Sequence, residues 1–387
     1  MFAHDFGETF CNMQPQFAGD DCESTSVHTG DFQDAEDLSA FRMITRRSGD
    51  RGYLFVNNYQ RGYEMAEHKD VMLRVQTADG EISFPKQDIK NGAYFFYPFN
   101  FPLSDDVTLR WINQTPLCNI NRKLWFFYGN EKMQYEADEK LSGQVLISMD
   151  RIWAKYAWRM KKYPNILFFS ALPILETENG IEVICRSDRA QKNCWIIMDA
   201  TVEDAKTWID NGWKKPDIIP GFLHVEGDAS TICVLSHELS AADNQIVASF
   251  THTDVNNCII LKEKTDFSME EACAIDDTGK DYREYVIRIS YDKAYDAVKD
   301  NIFLRIDFQA DQAELYLNGE KIADQYFIGD VWEVSLKRFD FPTELILRLY
   351  PLEEDDKIYL ETQPDYVNGR CCSLKDIRCV YECKEKL

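Results

Sequence analysis

Histidine and basic residues are scarce in this chain, and long apolar runs are missing. Six histidines are scattered along 387 residues, and 43 lysines and arginines are outnumbered by 66 aspartates and glutamates, which leaves a formal net charge of −23. A surface of this sign repels nucleic-acid phosphates and anionic lipid headgroups, so we expect neither nucleic acid nor membrane as a partner. No apolar stretch approaches the roughly 20 residues that span a bilayer, and the first residues lack the pattern of a leader peptide. These absences predict a soluble, cytoplasmic protein.

Motifs for cofactor, metal and nucleophile chemistry are also missing. The sequence contains no GxGxxG, Walker A, GxSxG or HExxH pattern, so phosphate loops, nucleophile elbows and zincin-type zinc sites have no support. Twelve cysteines are present, and their densest group, Cys371, Cys372, Cys379 and Cys383, lacks paired CxxC spacing and a nearby histidine. We expect no metal, no cofactor and reduced thiols.

Aromatic residues and alternating patterns dominate what is present. Aromatic side chains make up 13% of the chain and cluster in short runs such as LWFFYG, which fit pleated sheets better than helices. Gly49 and Gly52 mark a turn between two such runs, and Asn179-Gly180 is a strong hairpin signal. From Ile302 onward, IFLRIDF alternates apolar positions with other residues. We predict a mostly β fold of several β-sandwich modules, with a C-terminal jelly roll and a few short helices.

Two segments have the period of an amphipathic helix. In RIWAKYAWRMKKYP, which ends near a proline, an apolar stripe is formed by Ile152, Trp153, Tyr156, Ala157 and Met160. In VEDAKTWIDNGW, a glycine near the end is a common helix stop. We predict one short helix in each segment.

The pattern changes along the chain and divides it into four parts. Residues 1–37 are acidic and lack a clear period, which predicts a connector. Residues 38–140 contain regularly spaced strands typical of a β-sandwich module, and residues 141–255 combine strands with the two short helices. Residues 256–387 form a nearly unbroken strand series typical of a jelly roll.

Two separate stretches resemble the accessory part of one enzyme family. LFVNNYQRGYEMAEHKDVMLRV, followed by YPFNFPL, resembles the module after the catalytic barrel in family thirty-five glycoside hydrolases, which are mostly β-galactosidases. FLRIDFQADQAELYLNGEKIADQYFIGDVWEVSLKRF resembles the galactose-binding-like jelly roll at the C-terminal end of bacterial relatives. The two matches cover about residues 38–130 and 285–362.

The catalytic barrel of that family is what this sequence lacks. A (β/α)₈ barrel needs about 250 residues of alternating strands and helices, whereas only two short helical segments are visible here. The family's two catalytic glutamates belong to the barrel, so no position in this chain inherits their role, and residues 1–37 become a connector that follows the missing barrel. The resemblance implies a non-catalytic accessory region whose partners are the barrel of the same parent protein and a galactose-containing carbohydrate.

Three aromatic side chains of the jelly-roll stretch are candidates for stacking on a sugar ring: Tyr316, Tyr326 and Trp332. Their flat faces suit the C–H side of galactose. Aromatic residues also fill sandwich cores without any ligand, and that alternative stays open.

A polar and aromatic loop follows one strand of the first module and contains Tyr59, Arg61, Tyr63, Glu67 and His68. Loops of this composition either bind a ligand or pack against a neighbouring domain. We expect this loop to pack against the barrel and to shape the rim of its active site. A structural turn in which the arginine pairs with an acid is the alternative.

Two other functions remain compatible with the sequence. A free-standing carbohydrate-binding protein needs no barrel, and an in-frame barrel coding region upstream counts against it. A hydrolase with an unrecognised site in the middle region would use acids such as Asp150 or Glu176, and turnover of a chromogenic galactoside by the purified chain would identify it.

Overall fold

The chain divides into two compact units that consist mainly of strands, which confirms the mostly β prediction. One unit comprises Met1–Ala171 with Asn193–His237, and the other comprises Leu172–Lys192 with Glu238–Leu387. In the computed structural model, the residues that the structure describes are 23–27, 37–186, 188, 193–199, 203–216, 223–228, 230, 232–239, 259–262, 273–275, 281–289 and 301–387.

The strands and helices are numbered along the chain. The strands are β1 (Glu23–Val27), β2 (Arg42–Ser48), β3 (Arg51–Asn58), β4 (His68–Val71), β5 (Arg74–Thr77), β6 (Gly80–Ser83), β7 (Gln87–Ile89), β8 (Ala93–Pro102), β9 (Thr108–Ile112), β10 (Thr115–Ile120), β11 (Leu124–Tyr128), β12 (Tyr135–Ala137), β13 (Val145–Met149), β14 (Ala157–Met160), β15 (Tyr163–Phe169), β16 (Ile174–Thr177), β17 (Gly180–Arg186), β18 (Asn193–Asp199), β19 (His224–Gly227), β20 (Ile232–Glu238), β21 (Ile259–Lys262), β22 (Cys273–Ile275), β23 (Asp281–Ile289), β24 (Asn301–Gln309), β25 (Gln312–Leu317), β26 (Glu320–Tyr326), β27 (Trp332–Ser335), β28 (Glu344–Tyr350), β29 (Leu352–Glu353), β30 (Arg370–Cys371) and β31 (Ser373–Lys386). The helices are α1 (Arg151–Lys155) and α2 (Glu203–Asp210), with a 3₁₀ turn at Leu336–Phe339.

A six-stranded antiparallel sheet in the order β1-β2-β3-β8-β9-β12 organises the N-terminal unit. The predicted hairpin between β2 and β3 is confirmed, and Gly49 has the positive φ of +62° that its turn requires. Side chains alternate between the two faces of β3. Leu54 and Val56 lie in one core, whereas Tyr53 lies in another with Phe96 of β8. Both faces of the sheet are therefore covered.

This unit also contains two four-stranded sheets, β10-β11-β13-β19 and β14-β15-β18-β20, and the two-stranded sheets β4-β7 and β5-β6. Every residue of β11 and β13 is buried, and these two strands pair in parallel. Strands covered on both faces have continuous apolar sequences. Phe126 and Ile147 contribute to one core, whereas Phe127 and Leu146 contribute to another.

The helix predicted in RIWAKYAWRMKKYP is wrong beyond its first turn. α1 ends at Lys155, and the residues that follow form β14, which pairs antiparallel with β15. Ile152, which the helical stripe places in the core, is 60% exposed. A helix this short is marginal without tertiary support, and pairing with β15 satisfies the backbone instead. The second predicted helix is confirmed as α2, and Gly212 follows it at φ +93°.

The C-terminal unit is a sandwich of two antiparallel sheets, β16-β17-β31-β24-β27 and β21-β23-β28-β25-β26, with β22 also paired to β23. Eight of these strands, β17, β23 to β28 and β31, can be numbered 1 to 8 along the chain. The two sheets then run 1-8-3-6 and 2-7-4-5. This is the strand order of a jelly roll, so the predicted fold of the C-terminal part is confirmed.

The core of the jelly roll lies between its two sheets. β24 is buried at every second residue from Ile302 to Phe308, as its sequence predicts. The facing sheet contributes Leu345, Leu347 and Leu349 of β28 to the same core. Burying one large aliphatic side chain contributes about 1.5–3 kcal/mol, so this alternation determines which face of each strand points inward.

The jelly roll begins earlier in the chain than residue 256. β16 and β17 lie in the predicted middle region, yet β17 pairs with the end of β31, from Glu182 opposite Lys386 to Arg186 opposite Glu382. The chain then contributes β18, β19 and β20 to the other unit before it returns. The predicted hairpin between β16 and β17 is confirmed, but a hairpin signal does not identify the sheet that the hairpin joins.

Apart from 23–27 and Asp37, the predicted connector 1–37 falls outside the described residues. Within the described part of the chain, the helices are too short or too polar to cross a membrane.

Candidate functional site

A cavity of about 400 Å³ opens in the C-terminal unit, and we name it the C-terminal cavity. Its wall is formed by Asp281, Tyr282, Arg283, Pro351, Asp365, Val367, Asn368, Arg370, Cys371, Cys372, Ser373 and Lys375. Most of these side chains have groups that are able to donate or accept hydrogen bonds, while tyrosine, proline and valine supply carbon surface. A concave wall with both properties is typical of a small-molecule site.

Segments far apart in the sequence meet at the C-terminal cavity. β23 begins there with 281–283, and β30 and the start of β31 provide another part of the wall. Immediately before β30, Asn368 and Gly369 have φ of +55° and +78°, so the chain reverses and Val367 pairs with Arg370. Asparagine and glycine adopt these angles more readily than other residues. The Asn-Gly turn therefore positions the residues on either side of it.

Each carboxylate on the wall has a cation as its partner. Arg370 donates to Asp281, and its Nε lies 3.0 Å from Glu353. Lys375 Nζ lies 3.2 Å from Asp365. The side chains of that second pair are 40% and 77% exposed, so it contributes little to stability.

Cys371 is a buried thiol whose Sγ lies 3.2 Å from the backbone oxygen of Gln309. Burial raises the pKa of the Cys371 thiol. The positive charges of Lys375 and Arg283 oppose this rise, and the negative charge of Asp365 adds to it. All three charged side chains line the C-terminal cavity together with Cys371. A thiol with a raised pKa is a weak nucleophile at neutral pH.

This arrangement suits binding better than catalysis. Donors and acceptors lie beside aromatic and aliphatic surface, which is the combination that a polyhydroxylated ligand requires. Glycosidic bond cleavage uses one carboxyl group as an acid and another as a nucleophile or base. Asp281 and Asp365 are instead each joined to a cation. We therefore treat the C-terminal cavity as a candidate binding site.

The three aromatic side chains predicted to stack on a sugar do not form one site, and none lines the C-terminal cavity. Trp332 is buried in the sandwich core, with its ring 6.4 Å from that of Phe308. This position agrees with the alternative in which Trp332 is a core aromatic.

Tyr316 and Tyr326 lie on the outer face of the other sheet, at opposite ends of the β25–β26 hairpin. The guanidinium of Arg348 lies 4.4 Å from the centre of the Tyr316 ring, and the Tyr316 hydroxyl donates to Glu314 at 2.5 Å. Tyr316 is thus held by its neighbours. Tyr326 is 63% exposed and keeps an accessible ring, so its stacking role stays a prediction.

The predicted docking loop lies between β3 and β4. Four of the five side chains predicted to dock are exposed: Tyr59, Arg61, Tyr63 and Glu67. His68 is half-buried at the start of β4, with its ring 4.9 Å from that of Phe41.

Buried Asn58 fixes this loop, because its Nδ2 donates to two backbone oxygens at 2.9 and 3.0 Å. The adjacent Tyr59 ring lies 6.4 Å from the ring of Tyr94, over which the Arg151 guanidinium sits at 4.0 Å. Tyrosine and arginine are enriched in protein interfaces. The composition and exposure of the loop fit docking, and the docking itself stays a prediction.

The two acids considered for a hydrolase lie outside the C-terminal cavity. Asp150 is the N-cap of α1, where its Oδ1 accepts a hydrogen bond from the backbone N–H of Trp153 at 2.9 Å. Glu176 lies in β16, opposite Ile181 of β17. The capping bond gives Asp150 a structural role.

Sequence reasoning missed the C-terminal cavity, although one signal for it is visible. Asn368-Gly369 is the same dipeptide that predicts the hairpin at Asn179-Gly180, and the cavity wall surrounds it. The cysteines that follow are predicted to be reduced thiols, and that prediction does not point to a cavity. In the described residues, no cluster of three or more histidine, cysteine or acidic side chains is arranged to hold a metal ion.

Comparison with known proteins gives no relative from which a role can be transferred. No protein-family model matches the chain, and no curated protein matches it.

Proposed function

We propose that this chain is the non-catalytic accessory region of a β-galactosidase-like glycoside hydrolase, and that its jelly roll binds galactose-type carbohydrate in the C-terminal cavity. The observation that carries this proposal is the cavity of about 400 Å³, whose largely apolar wall also presents polar groups of Tyr282, Asn368 and Ser373. It lies in the jelly roll of the C-terminal unit, and of its wall only Pro351 falls within the stretch 285–362 that resembles a galactose-binding-like jelly roll.

The described structure supports an accessory role over a catalytic one. α1 and α2 have five and eight residues, and no described segment alternates strands and helices as a (β/α)₈ barrel does. The carboxylates on the cavity wall pair with cations, as Asp281 does with Arg370. The proposed barrel of the parent protein therefore supplies the chemistry.

The loop between β3 and β4 is the proposed contact with that barrel. Tyr59 and Tyr63 are 50% and 57% exposed, and the backbone that carries them is fixed by Asn58. A rigid loop with exposed aromatic rings loses little conformational entropy when it docks.

Two measurements on the purified full chain test the proposal. Turnover is followed with a chromogenic β-galactoside, and binding of galactose and lactose is followed by saturation-transfer NMR. We expect no turnover, and we expect saturation of galactose protons that Ser373→Phe abolishes by filling the C-terminal cavity. Ser335→Phe, at a half-buried serine outside the cavity wall, is the control.

Either part of the proposal can fail separately. Turnover that survives rigorous purification shows that the chain is itself an enzyme. Galactose binding that persists in a folded Ser373→Phe variant removes the C-terminal cavity as the binding site. Absence of any saccharide binding removes the carbohydrate-binding role.

A further inference from the structure

Two cysteines lie directly opposite each other in the sheet β16-β17-β31-β24-β27. Cys185 of β17 pairs in register with Cys383 of β31, and both are present as thiols. Because they are direct partners on antiparallel strands, both side chains point to the same face of the sheet. Cys185 is buried, whereas Cys383 is half-buried. A small reagent in solution therefore reaches Cys383 first.

The backbone spacing at this pair of cysteines suits a disulfide. The N–H of Leu387 donates to the backbone oxygen of Ile181 at 2.9 Å. Hydrogen-bonded pairs recur at every second residue of an antiparallel ladder, and the unbroken register therefore makes Cys185 and Cys383 another such pair. The Cα atoms of a hydrogen-bonded pair are about 5.5 Å apart, within the range of about 4.4–6.8 Å found across disulfides.

The Cβ atoms of the two cysteines fit a disulfide less closely than the Cα atoms do. Directly opposite Cβ atoms are about 4.5–5.5 Å apart, whereas a disulfide holds them about 3.5–4.5 Å apart. The two strands must therefore draw together by about 1 Å when the bond forms. A disulfide under such strain is more easily reduced than a relaxed one, so the bond is reversible.

Other cysteines of the C-terminal unit lie opposite side chains that have no thiol. Cys379, which lies on the same face of β31 as Cys383, is opposite Leu304. Cys371 of β30 is opposite Leu352. The strand register of the jelly roll thus singles out one pair of thiols.

We propose that Cys185 and Cys383 form a reversible redox modification site, at which a small disulfide such as oxidised glutathione converts the two thiols into a cross-strand disulfide. The Cys383 thiolate attacks oxidised glutathione, which releases one glutathione thiolate and leaves a mixed disulfide on Cys383. The Cys185 thiolate then attacks the Cys383 sulfur and releases the second glutathione thiolate. The two glutathione thiolates take up the two protons that the cysteines lose, so two thiols are oxidised while one glutathione disulfide is reduced.

This bond would tie an early segment of the chain to its end. β17 has β16 and β31 as its neighbours in the sheet, so the β16–β17 hairpin joins the rest of the sheet through β31. A disulfide between β17 and β31 closes a loop of about 200 residues, and closing a long loop restricts the unfolded chain. Oxidation therefore stabilises the jelly roll. This inference goes beyond the proposed carbohydrate-binding function and does not depend on it.

Peptide mapping of the full chain tests the inference. The native chain is incubated with oxidised glutathione, its remaining thiols are blocked with N-ethylmaleimide, and it is digested without reductant for mass spectrometry. We expect two peptides joined by Cys185 and Cys383, which separate when reductant is added. We also expect the thermal unfolding midpoint to rise by about 5 °C on oxidation and to return on reduction.

Cys383→Ala should abolish both the joined peptides and the rise in midpoint, and Cys185→Ala, on the other strand, should have the same effect. The matched control is Cys379→Ala, on the same strand and face, which should keep both. Thermal unfolding in the presence of reductant verifies that each variant is folded.

The outcomes that would overturn the inference are distinct. Separate blocking of Cys185 and Cys383 by maleimide or glutathione shows that the two thiols do not join. A link from either of them to another cysteine, or between two molecules, shows that the register does not select the partner. Joined peptides without a rise in the midpoint overturn the stabilising role of the bond.

Discussion

Arg186 and Glu333 are separated by 147 residues and joined by a hydrogen bond of 2.7 Å from Nη2 to Oε1. Arg305 lies beside this contact, 2.8 Å from Asp188 and 3.2 Å from Glu333. Positive and negative side chains thus alternate across the sheet β17-β31-β24-β27. We name the four residues Arg186, Asp188, Arg305 and Glu333 the charge clasp. The charge clasp ties β17, from the middle of the chain, to strands formed near its end.

Glu333→Gln should weaken the charge clasp, because it removes a charge and keeps the side-chain shape. We expect a loss of about 1 kcal/mol in the free energy of unfolding at pH 7, since Glu333 is partly exposed. Urea denaturation measures this change. Glu344→Gln, which alters a more exposed pair with Arg288, is the control and should cost less. Equal stability of Glu333→Gln and the natural chain would show that the clasp does not stabilise the fold.

The same contact predicts how stability depends on pH. The hydrogen bond from Arg186 lowers the pKa of Glu333 in the folded chain. Because the pKa of Glu333 is lower in the folded chain than in the unfolded chain, where it is about 4.3, ionised Glu333 stabilises the fold when the pH is above that unfolded-state pKa. This stabilisation is lost as the pH falls through the folded-state pKa. The difference in unfolding free energy between the natural chain and Glu333→Gln should therefore shrink as the pH falls below about 4.3. A constant difference from pH 7 to pH 3 would contradict this.

Gly329→Ala should destabilise the jelly roll more than Gly319→Ala. Both glycines have positive φ, +84° and +85°, so alanine is strained at each, by about 1–2 kcal/mol. A Cβ at Gly329 also lies 2.5 Å from Cβ of Thr362, whereas one at Gly319 meets nothing within 4 Å. Thermal unfolding of the two variants isolates the effect of this contact. Equal losses in the two variants would show that the loop around Thr362 relaxes freely.

Features that depend on sequence neighbours were predictable here. The Asn318-Gly319 turn follows from its dipeptide, and both residues have the positive φ that such a turn requires. Pairing of β17 with β31 was not predictable, because about 200 residues separate Glu182 from Lys386, its partner. Alternation shows that a strand has a buried face, but any strand with a matching face can be its neighbour.

Trp332→Ala should destabilise the C-terminal unit by about 3–5 kcal/mol, because the indole is buried in the sandwich core and its removal leaves a cavity. Tyr326→Ala should change stability by less than about 0.5 kcal/mol, since its ring is 63% exposed. Chemical denaturation compares the two variants. Similar losses would show that the ring of Tyr326 is also packed.

These two residues show why the candidate site was harder to predict than the fold. Trp332 and Tyr326 occur in similar strand sequences, yet one faces the core and the other faces solvent. The pairing between β25 and β26 shifts in register between Leu315 and Tyr316 of β25. Such a bulge changes which side chains share a face of the sheet. The C-terminal cavity is harder still, because its wall is assembled from segments that only the folded jelly roll brings together.

Alkylation of Cys371 reports the charges around the C-terminal cavity. The thiolate is the reactive form, and burial raises the pKa of Cys371, so iodoacetamide should react slowly at neutral pH and faster as the pH rises. Lys375→Met removes a charge that opposes this rise, whereas Asp365→Asn removes one that adds to it. We therefore expect the midpoint of the rate against pH to move up in Lys375→Met and down in Asp365→Asn.

Fragment-ion mass spectrometry of the peptide that contains Cys371 distinguishes its alkylation from that of the adjacent Cys372 and so measures each rate. The side chains of Lys375 and Asp365 are 40% and 77% exposed, so both variants should fold, and equal thermal midpoints verify this. A change in accessibility alone would alter the maximal rate and leave the midpoint unchanged. Movement of the midpoint in the same direction in both variants would show that the loop has rearranged. Opposite movement establishes that Lys375 and Asp365 act electrostatically on one thiol, and hence that they border the same part of the C-terminal cavity.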